Sequence, residues 1–424
     1  MDFRNCILQE QQQGAVKIIE QEVDPYLAVS KEINAVEPNH VLFKNVLGMQ
    51  LATNFFNNRE GYAKYLNIPL NDFLRNLSFK LTHNQISLEV KDTNYGEVEW
   101  ENVDLSRLPI LTHYKGDGGP YISAGVWVVN DPVLGHNLSY HRLMVIDKTH
   151  GAVRVVENRG MHQALANSGG EIEVAICLGV SPAMLLAAAC SPSKDINEIE
   201  LAARLDSITL VKCKTVDLHV PVDSEIVLEG HFINKKAAEG PFVDITGTWD
   251  KVRRQPIVEI TRIAHRKSPI YHALVPGKAE HRILMGMPKE IDIYNEVNKV
   301  CRCLDVNVTN GGSAWLHAVI KINKQNAEDG KAAIEAAFRA HKSLKHCIVV
   351  DDDIDIADSS QVEWAIATRF QADKDLLILA NLPSSSLDPS AVHEEGKKSK
   401  GSKMGIDATI KKSGEAINLF KRVV

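Results

Sequence analysis

The sequence contains no uninterrupted run of about 18 apolar residues, so no membrane-crossing helix is expected. It has no basic excess either. Its 48 Lys and Arg stand against 54 Asp and Glu, a formal net charge of −6. Phosphate backbones reward basic surfaces, so this balance argues against a nucleic-acid partner. The opening stretch, Met1 to Gln13, is polar and lacks the apolar centre of a secretory signal, so a cytoplasmic protein is expected. Cysteine is scarce and unpaired in pattern. Seven are present, an odd number, and no Cys-x-x-Cys occurs. Cys301 and Cys303 are one residue apart, with no second half to complete a metal site. Reduced, mostly buried thiols are expected rather than a disulfide framework. No internal repeat or low-complexity domain is evident.

What is present is a chain of 424 residues, 44% hydrophobic and 24% charged. That is the composition of a soluble globular protein, with length for two or three domains at roughly 100–200 residues each. Residues 12–24 carry helical charge patterning. Asn39 to Val46 reads as a strand, Arg59 to Leu66 as a helix start and Ile86 to Val90 as a strand. From about residue 105 strand signals come often. They run Ile122 to Asn130, closed by the turn Asp131-Pro132, then Leu143 to Asp147, Ala152 to Glu157, Ile208 to Lys212, Glu225 to Ile233, Ile257 to His265 and Ile270 to Leu274. Helical patches at Gly160 to Ala166 and Pro182 to Ala189 interrupt them. This middle third predicts a β-barrel or sandwich with helical inserts. Pro288 to Arg302 reads as a helix. From Leu316 strands and helices alternate, which predicts an α/β layer. Leu387 to Lys403 reads as a loop.

Several clusters could carry chemistry. Glu239-Gly240-Pro241-Phe242-Val243-Asp244 sets two acids around a Gly-Pro turn. Taken alone, such acids sit on a solvated loop. A rigid turn with an apolar flank can instead hold one acid partly dry, raise its pKa and make it a proton donor. Asn137-Leu138-Ser139-Tyr140-His141-Arg142 offers a carbonyl ligand and a planar guanidinium fork for a carboxylate; a surface ion pair is the plainer reading. Gly116-Asp117-Gly118-Gly119-Pro120-Tyr121 precedes a strand rather than a helix, so it reads as a tight turn, not a phosphate cradle. Asp351-Asp352-Asp353 ends a strand, where acids can bind magnesium or simply face water. His113, His162 and His281 lack metal-ligand spacing.

A chain of motifs in fixed order resembles the UbiD decarboxylase family. It comprises Gly116 to Tyr121, Asn137 to Arg142, Asn158-Arg159-Gly160, Val211-Lys212-Cys213, Glu225 to Gly230 and Glu239-Gly240-Pro241-Phe242. It continues with Val350 to Ile354, Trp364-Ala365-Ile366 with Thr368-Arg369, and Gly401 to Thr409. The resemblance spans nearly the whole chain. It implies a mixed α+β fold: an N-terminal α/β part (1–104), a central split β-barrel flavin-binding domain (105–286), a linking helix (287–303) and a C-terminal α/β oligomerisation domain (304–424) whose tail closes on the cofactor.

The resemblance further implies reversible, non-oxidative decarboxylation of an α,β-unsaturated, aromatic or heteroaromatic acid through a covalent adduct with prenylated FMN. Loss of carbon dioxide from an sp² carbon leaves an electron pair with nowhere to delocalise, and the modified flavin accepts it. Arg142, Glu239 and Asp244 would form the catalytic network, with Arg142 holding the substrate carboxylate and Asp244 donating the proton. Asn137 and Glu198 would ligate Mn2+ or Mg2+, with K+ as a further ion. Asn137, Tyr140, His141, Arg142, Arg159, Gly160 and Cys190 would lie along the cofactor, and Lys403 would close on its phosphate. Where some relatives carry a metal-ligating His, this chain has Arg159. The metal would then rest on Asn137, Glu198, phosphate and backbone oxygens. A flavin prenyltransferase is an implied partner, and a homodimer or homohexamer the implied assembly. The segment Pro276 to His281 and the short chain favour a small heteroaromatic or enoic acid, including anhydromevalonate phosphate, over a polyprenylated benzoate. A non-catalytic flavin-binding or assembly protein, or a redox flavoprotein using plain FMN, are the competing readings.

Overall fold

The structure is a computed structural model that describes residues 1–157, 159–192, 196–394, 397–411 and 420. Asn158, quoted in the motif chain, lies outside the described residues. The chain forms two compact units. The first comprises 1–68, 80–244 and 249–284; the second comprises 69–79, 245–248 and 285–424.

In the first unit the main sheet has nine strands among the described residues. Eight lie in the order Tyr121–Ile122, Leu143–Val145, His150–Val153, Arg253–His265, Ile226–Glu239, Glu173–Leu178, Val126–Asp131 and Gly135–Tyr140. Val98–Glu99 adds to Arg253–His265. The two ends of the path do not pair with each other among the described residues, so the sheet is open. Its spine is the long antiparallel pair Ile226–Glu239 and Arg253–His265, whose register shifts twice. Such bulges add twist and bend a sheet. The first five residues of Ile226–Glu239 are buried without interruption, as suits a strand covered on both faces. Helix Pro182–Ala189 is apolar all round and buried along its length except at its last residue. Pro182 suits the first helical position, and Ser181 Oγ accepts from Met184 N at 3.4 Å.

Residues 12–24 depart from the helical expectation. The helix is Phe3–Gln12, and Val16–Glu22 is a strand paired in parallel with His40–Val46. Only Ile19 of that strand is buried, so it carries almost no apolar alternation to read.

The second unit is an α/β layer. Five strands lie in the order Cys303–Val308, His317–Ile322, His346–Val350, Lys400–Asp407 and Leu376–Pro383. Helix Asp329–Ala340 packs on the sheet. Val319, Ile348, Val350, Ile354, Ile356, Val362, Ala365 and Ala408 form its core. The expected helix at Pro288 begins earlier, as Ala279–Val297 with Pro288 inside it. The expected loop through Lys403 is a strand from Lys400 onward. Lys403, Gly405 and Asp407 point inward at every second residue, a period hidden by its polar composition. The Asp351 to Asp353 turn is occupied internally: Arg369 bonds Asp351 at 3.0 Å and Asp353 at 2.6 Å. All seven cysteines are free thiols, five of them buried. Among the described residues no helix is long and apolar enough to cross a membrane.

Candidate active site

Arg142 sits between strands Gly135–Tyr140 and Leu143–Val145. Its backbone is pinned from two sides. Arg154 N donates to its carbonyl at 3.1 Å, and the wholly buried Trp127 donates from Nε1 to the preceding His141 carbonyl at 3.0 Å. Glu239 is the last residue of the long strand and is fully buried. Beyond the Gly240-Pro241 turn, Phe242–Val243 pairs with Trp249–Asp250, which sets Asp250 opposite Phe242.

These elements surround one guanidinium with three carboxylates. Arg142 donates from Nε to Glu239 Oε1 at 2.8 Å and from Nη2 to Oε2 at 3.1 Å. Nη1 reaches Asp244 Oδ2 at 3.0 Å, and Nη2 also reaches Asp250 Oδ2 at 2.8 Å. The guanidinium carbon lies 4.4 Å from the Phe242 ring centroid, within cation–π range. Tyr121 Oη donates to Glu239 Oε1 at 3.2 Å, and Arg253 pairs with Asp250 at 2.7 Å. Burial pulls the Arg142 pKa down, and the carboxylates of Glu239, Asp244 and Asp250 more than offset this. Burial also pushes the Asp250 carboxyl up, and Arg253 and Arg142 outweigh it. The three acids differ in access: the side chain of Glu239 is 0% exposed, Asp250 8% and Asp244 18%. Asp244 is therefore the acid most open to a ligand.

The glycine-rich turn is part of this site. Gly118 N donates to Pro241 O at 2.8 Å, and a Cβ on Gly118 would lie 2.2 Å from Gly240 O. No side chain fits there, so glycine permits the turn to clamp the segment that carries Glu239 and Asp244. His113 packs edge-on to Phe242, and Tyr114 edge-on to Trp249. His281 belongs here as well. Burial lowers its pKa, while Asp244 raises it and Arg142, Arg282 and His113 lower it.

A second cluster lies on strand Gly135–Tyr140. Glu198 opens helix Glu198–Leu205 and is buried; its Oε2 accepts from Leu138 N at 3.0 Å and its Oε1 from Asn137 Nδ2 at 3.5 Å. Burial pushes its pKa up. A Cβ on Gly160 would lie 2.7 Å from Asn137 Nδ2, so the start of helix Gly160–Asn167 rests directly on Asn137. Ser139 Oγ donates to Asn137 Oδ1 at 3.3 Å. His141 Nδ1 donates to Arg154 O at 3.1 Å, its Nε2 meets Ser139 Oγ at 3.0 Å, and burial pushes its pKa down to about 4. Tyr140 Oη is buried without a hydrogen-bond partner among the described residues. Arg159 is exposed and precedes helix Gly160–Asn167; Cys190 is half-buried at the end of Pro182–Ala189. Lys403 lies in the second unit, where its ammonium donates to Lys342 O and Leu344 O at 2.7 Å each and burial lowers its pKa to about 8. Among the described residues no group of three or more His, Cys, Asp or Glu is arranged to hold a metal.

Sequence reading placed Arg142, Glu239 and Asp244 in one network and brought Asn137 to Glu198. It did not single out Asp250, Tyr121 as a partner of Glu239, or His113 and His281 as neighbours of Arg142. Asp250 had one readable signal: it follows Trp249 a short turn after Phe242-Val243, the spacing of a small hairpin.

The comparisons with known proteins agree in one direction. Residues 88–279 match the Rift-related domain of 3-octaprenyl-4-hydroxybenzoate carboxy-lyase, residues 282–408 its C-terminal domain and residues 7–81 its N-terminal domain. An anhydromevalonate phosphate decarboxylase of Methanosarcina mazei is 40% identical over 414 residues, 96% of this chain and 96% of that protein. One from Methanothermobacter thermautotrophicus is 46% identical over 314 residues, 72% of this chain and 73% of that protein. The UbiD-class enzyme HmfF from Pelotomaculum thermopropionicum, solved in complex with FMN, has a TM-score of 0.94 and 33% identity, covering 100% of this chain and 97% of that one. An evolved dimeric form of HmfF, solved with prFMN, has a TM-score of 0.88 and 31% identity, covering 99% and 98%.

The fold, together with the carboxy-lyase domains and the decarboxylases that the chain matches, defines a carboxy-lyase. The chain belongs to the UbiD family.

Proposed function

We propose that this UbiD-family decarboxylase uses prenylated FMN with Mn2+ or Mg2+ to remove carbon dioxide from a small α,β-unsaturated acid bearing a phosphate, the anhydromevalonate phosphate for which its relatives are named. The carrying observation is the position of Arg142, held in plane by Glu239 and shared at Nη1 with the more open Asp244.

The residues present fit the cofactor. Among the described residues Glu198 is a buried acid bonded only to N–H donors, Asn137 meets it through Nδ2 while its Oδ1 accepts from Ser139, and Gly160 puts no side chain at the start of the helix that rests on Asn137. Tyr140 Oη has no partner among the described residues. Two oxygen donors suit a hard divalent ion that completes its shell with a phosphate and water. Asn137 and Glu198 would hold that ion; Tyr140, His141, Arg159, Gly160 and Cys190 would line the cofactor. Lys403 would serve its phosphate only by exchanging its two carbonyl partners. When bound, the prenylated flavin supplies an electron sink for the pair left as carbon dioxide departs.

The protein supplies orientation and a proton. Arg142 aligns the substrate carboxylate through its Nη1 edge, the one guarded by the least buried acid. Glu239 keeps the guanidinium from rotating. Asp244 then delivers the proton to the carbon that has lost carbon dioxide. A flavin prenyltransferase would provide the cofactor, and a homodimer or homohexamer would be the working assembly.

The test is anaerobic purification after co-expression with a flavin prenyltransferase. Cofactor mass and carbon dioxide release from enoic, heteroaromatic and aromatic acids are then measured. A bound prenylated flavin and release from the phosphorylated enoic acid are expected. Plain FMN despite added manganese, or release from aromatic acids alone, would overturn the reading.

A further inference from the structure

The charges around Arg142 leave it little capacity for a second anion. Glu239, Asp244 and Asp250 face the two guanidiniums of Arg142 and Arg253. A substrate with two anionic ends therefore needs another cation near its far end. The first turn of helix Ala279–Val297 has one. Lys278, just before it, is engaged by Glu37 at 3.2 Å. Among the described residues Arg282, by contrast, has a buried Nε with no hydrogen-bond partner, and its side chain forms no ion pair. A guanidinium stays charged at every working pH, so a buried donor without an acceptor is costly to the free protein.

Tyr114 and His281 set the segment that leads to Arg282 beside the same site. Its charge acts on His281 together with those of Asp244 and Arg142, and it acts on Tyr114 together with Asp117 and Glu37. Tyr114 donates from Oη to Pro276 O at 2.9 Å and packs edge-on to Trp249. His281 Nδ1 accepts from Gly277 N at 3.0 Å, so the neutral ring carries its proton on Nε2, a donor with no partner among the described residues.

We infer that Arg282, with the Nε2–H of His281, is the seat for a phosphate monoester at the end of the substrate remote from its carboxylate. The inference rests on the decarboxylase reading and names the residues that select within it. A planar fork suits a phosphate, and a neutral imidazole adds a donor without adding charge. Arg142 would then set where the reaction happens, and Arg282 which acids are accepted.

The test uses holoenzyme loaded with prenylated flavin, as wild type, Arg282→Gln and Arg282→Lys. Binding of n-butyl phosphate is measured by calorimetry, and kcat/KM for anhydromevalonate phosphate is compared with that for its dephosphorylated acid. Arg282→Gln should weaken butyl phosphate binding at least tenfold and lower the phosphorylated-to-dephosphorylated ratio at least tenfold. Arg282→Lys, which keeps charge but loses the fork, should fall between. Undiminished butyl phosphate binding by Arg282→Gln, no binding by the wild type, or a ratio within twofold of wild type would overturn the inference. If wild type turns over neither acid, the decarboxylase reading fails, while the calorimetry still decides whether Arg282 holds a phosphate. Should Arg282→Gln fail to fold, a wild-type ratio and affinity in folded Arg282→Lys would overturn the fork assignment.

Discussion

Arg142 grips Glu239 with two parallel hydrogen bonds, 2.8 Å from Nε and 3.1 Å from Nη2, and the acid is wholly buried. A bidentate pair of this kind fixes the plane of the guanidinium as well as its position. Nη1 is left to Asp244. Arg142→Ala is expected to retain flavin and lose turnover by several orders of magnitude, because the carboxylate is no longer aligned. Carbon dioxide release by flavin-loaded protein checks this, and near-normal turnover would refute it. The same variant leaves Glu239 buried and unpaired, so a stability loss of about 3–5 kcal/mol should accompany it.

Asp244 carries a separate expectation. Asp244→Asn keeps the shape and removes the acid. It should stall protonation, so incorporation of solvent deuterium into product slows together with turnover. An unchanged incorporation rate would remove Asp244 as the donor.

Glu198 ties metal affinity to stability. Its pKa is raised by burial. A raised folded-state value means that, in metal-free protein, stability is fullest below the ordinary carboxylate range and is lost as pH rises through the raised value. Glu198→Gln should flatten that decline in metal-free protein. Glu198→Ala should lose metal and prenylated flavin together, read by elemental analysis and absorbance. Full occupancy in that variant would end its role as a ligand.

Gly118→Ala tests the clamp between the glycine turn and the Gly240-Pro241 turn. The added Cβ would meet Gly240 O at 2.2 Å, so backbone must move. Destabilisation of roughly 1–3 kcal/mol is expected from the overpacking. Turnover should fall as well, since the displaced turn carries Glu239 and Asp244. A wild-type melting temperature would show that the turn adjusts freely.

His141 gives the first unit a pH limit on the acid side. Its imidazole falls from the ordinary 6.5 to about 4 through burial. A lowered value means stability is present above pH 6.5 and is lost as pH falls toward 4. The drop is worth about 3 kcal/mol at about 1.4 kcal/mol per unit. Urea titrations between pH 7 and 4 should show it, and His141→Gln should flatten that part of the profile.

The sequence alone determined a good deal here. The strand Ile208–Lys212 and the helices Gly160–Asn167 and Pro182–Ala189 were legible because local composition and flanking residues agree. The order of motifs named Arg142, Glu239, Asp244, Asn137 and Glu198 without any coordinates. Tertiary structure decided what no local pattern encodes. Val16–Glu22 is a strand because a parallel partner waits at His40–Val46, not because its residues alternate. Lys403 lies in a strand because both of its neighbours, His346–Val350 and Leu376–Pro383, pair with it. Asp250 joins Arg142 across 108 positions of sequence, and Glu37 reaches Lys278 from far away in the chain. Hydrophobic period is a local property that one strand or helix carries alone. The pairing of charges is settled by which chain segments the fold brings within about 3 Å of each other, and that information exists only in three dimensions.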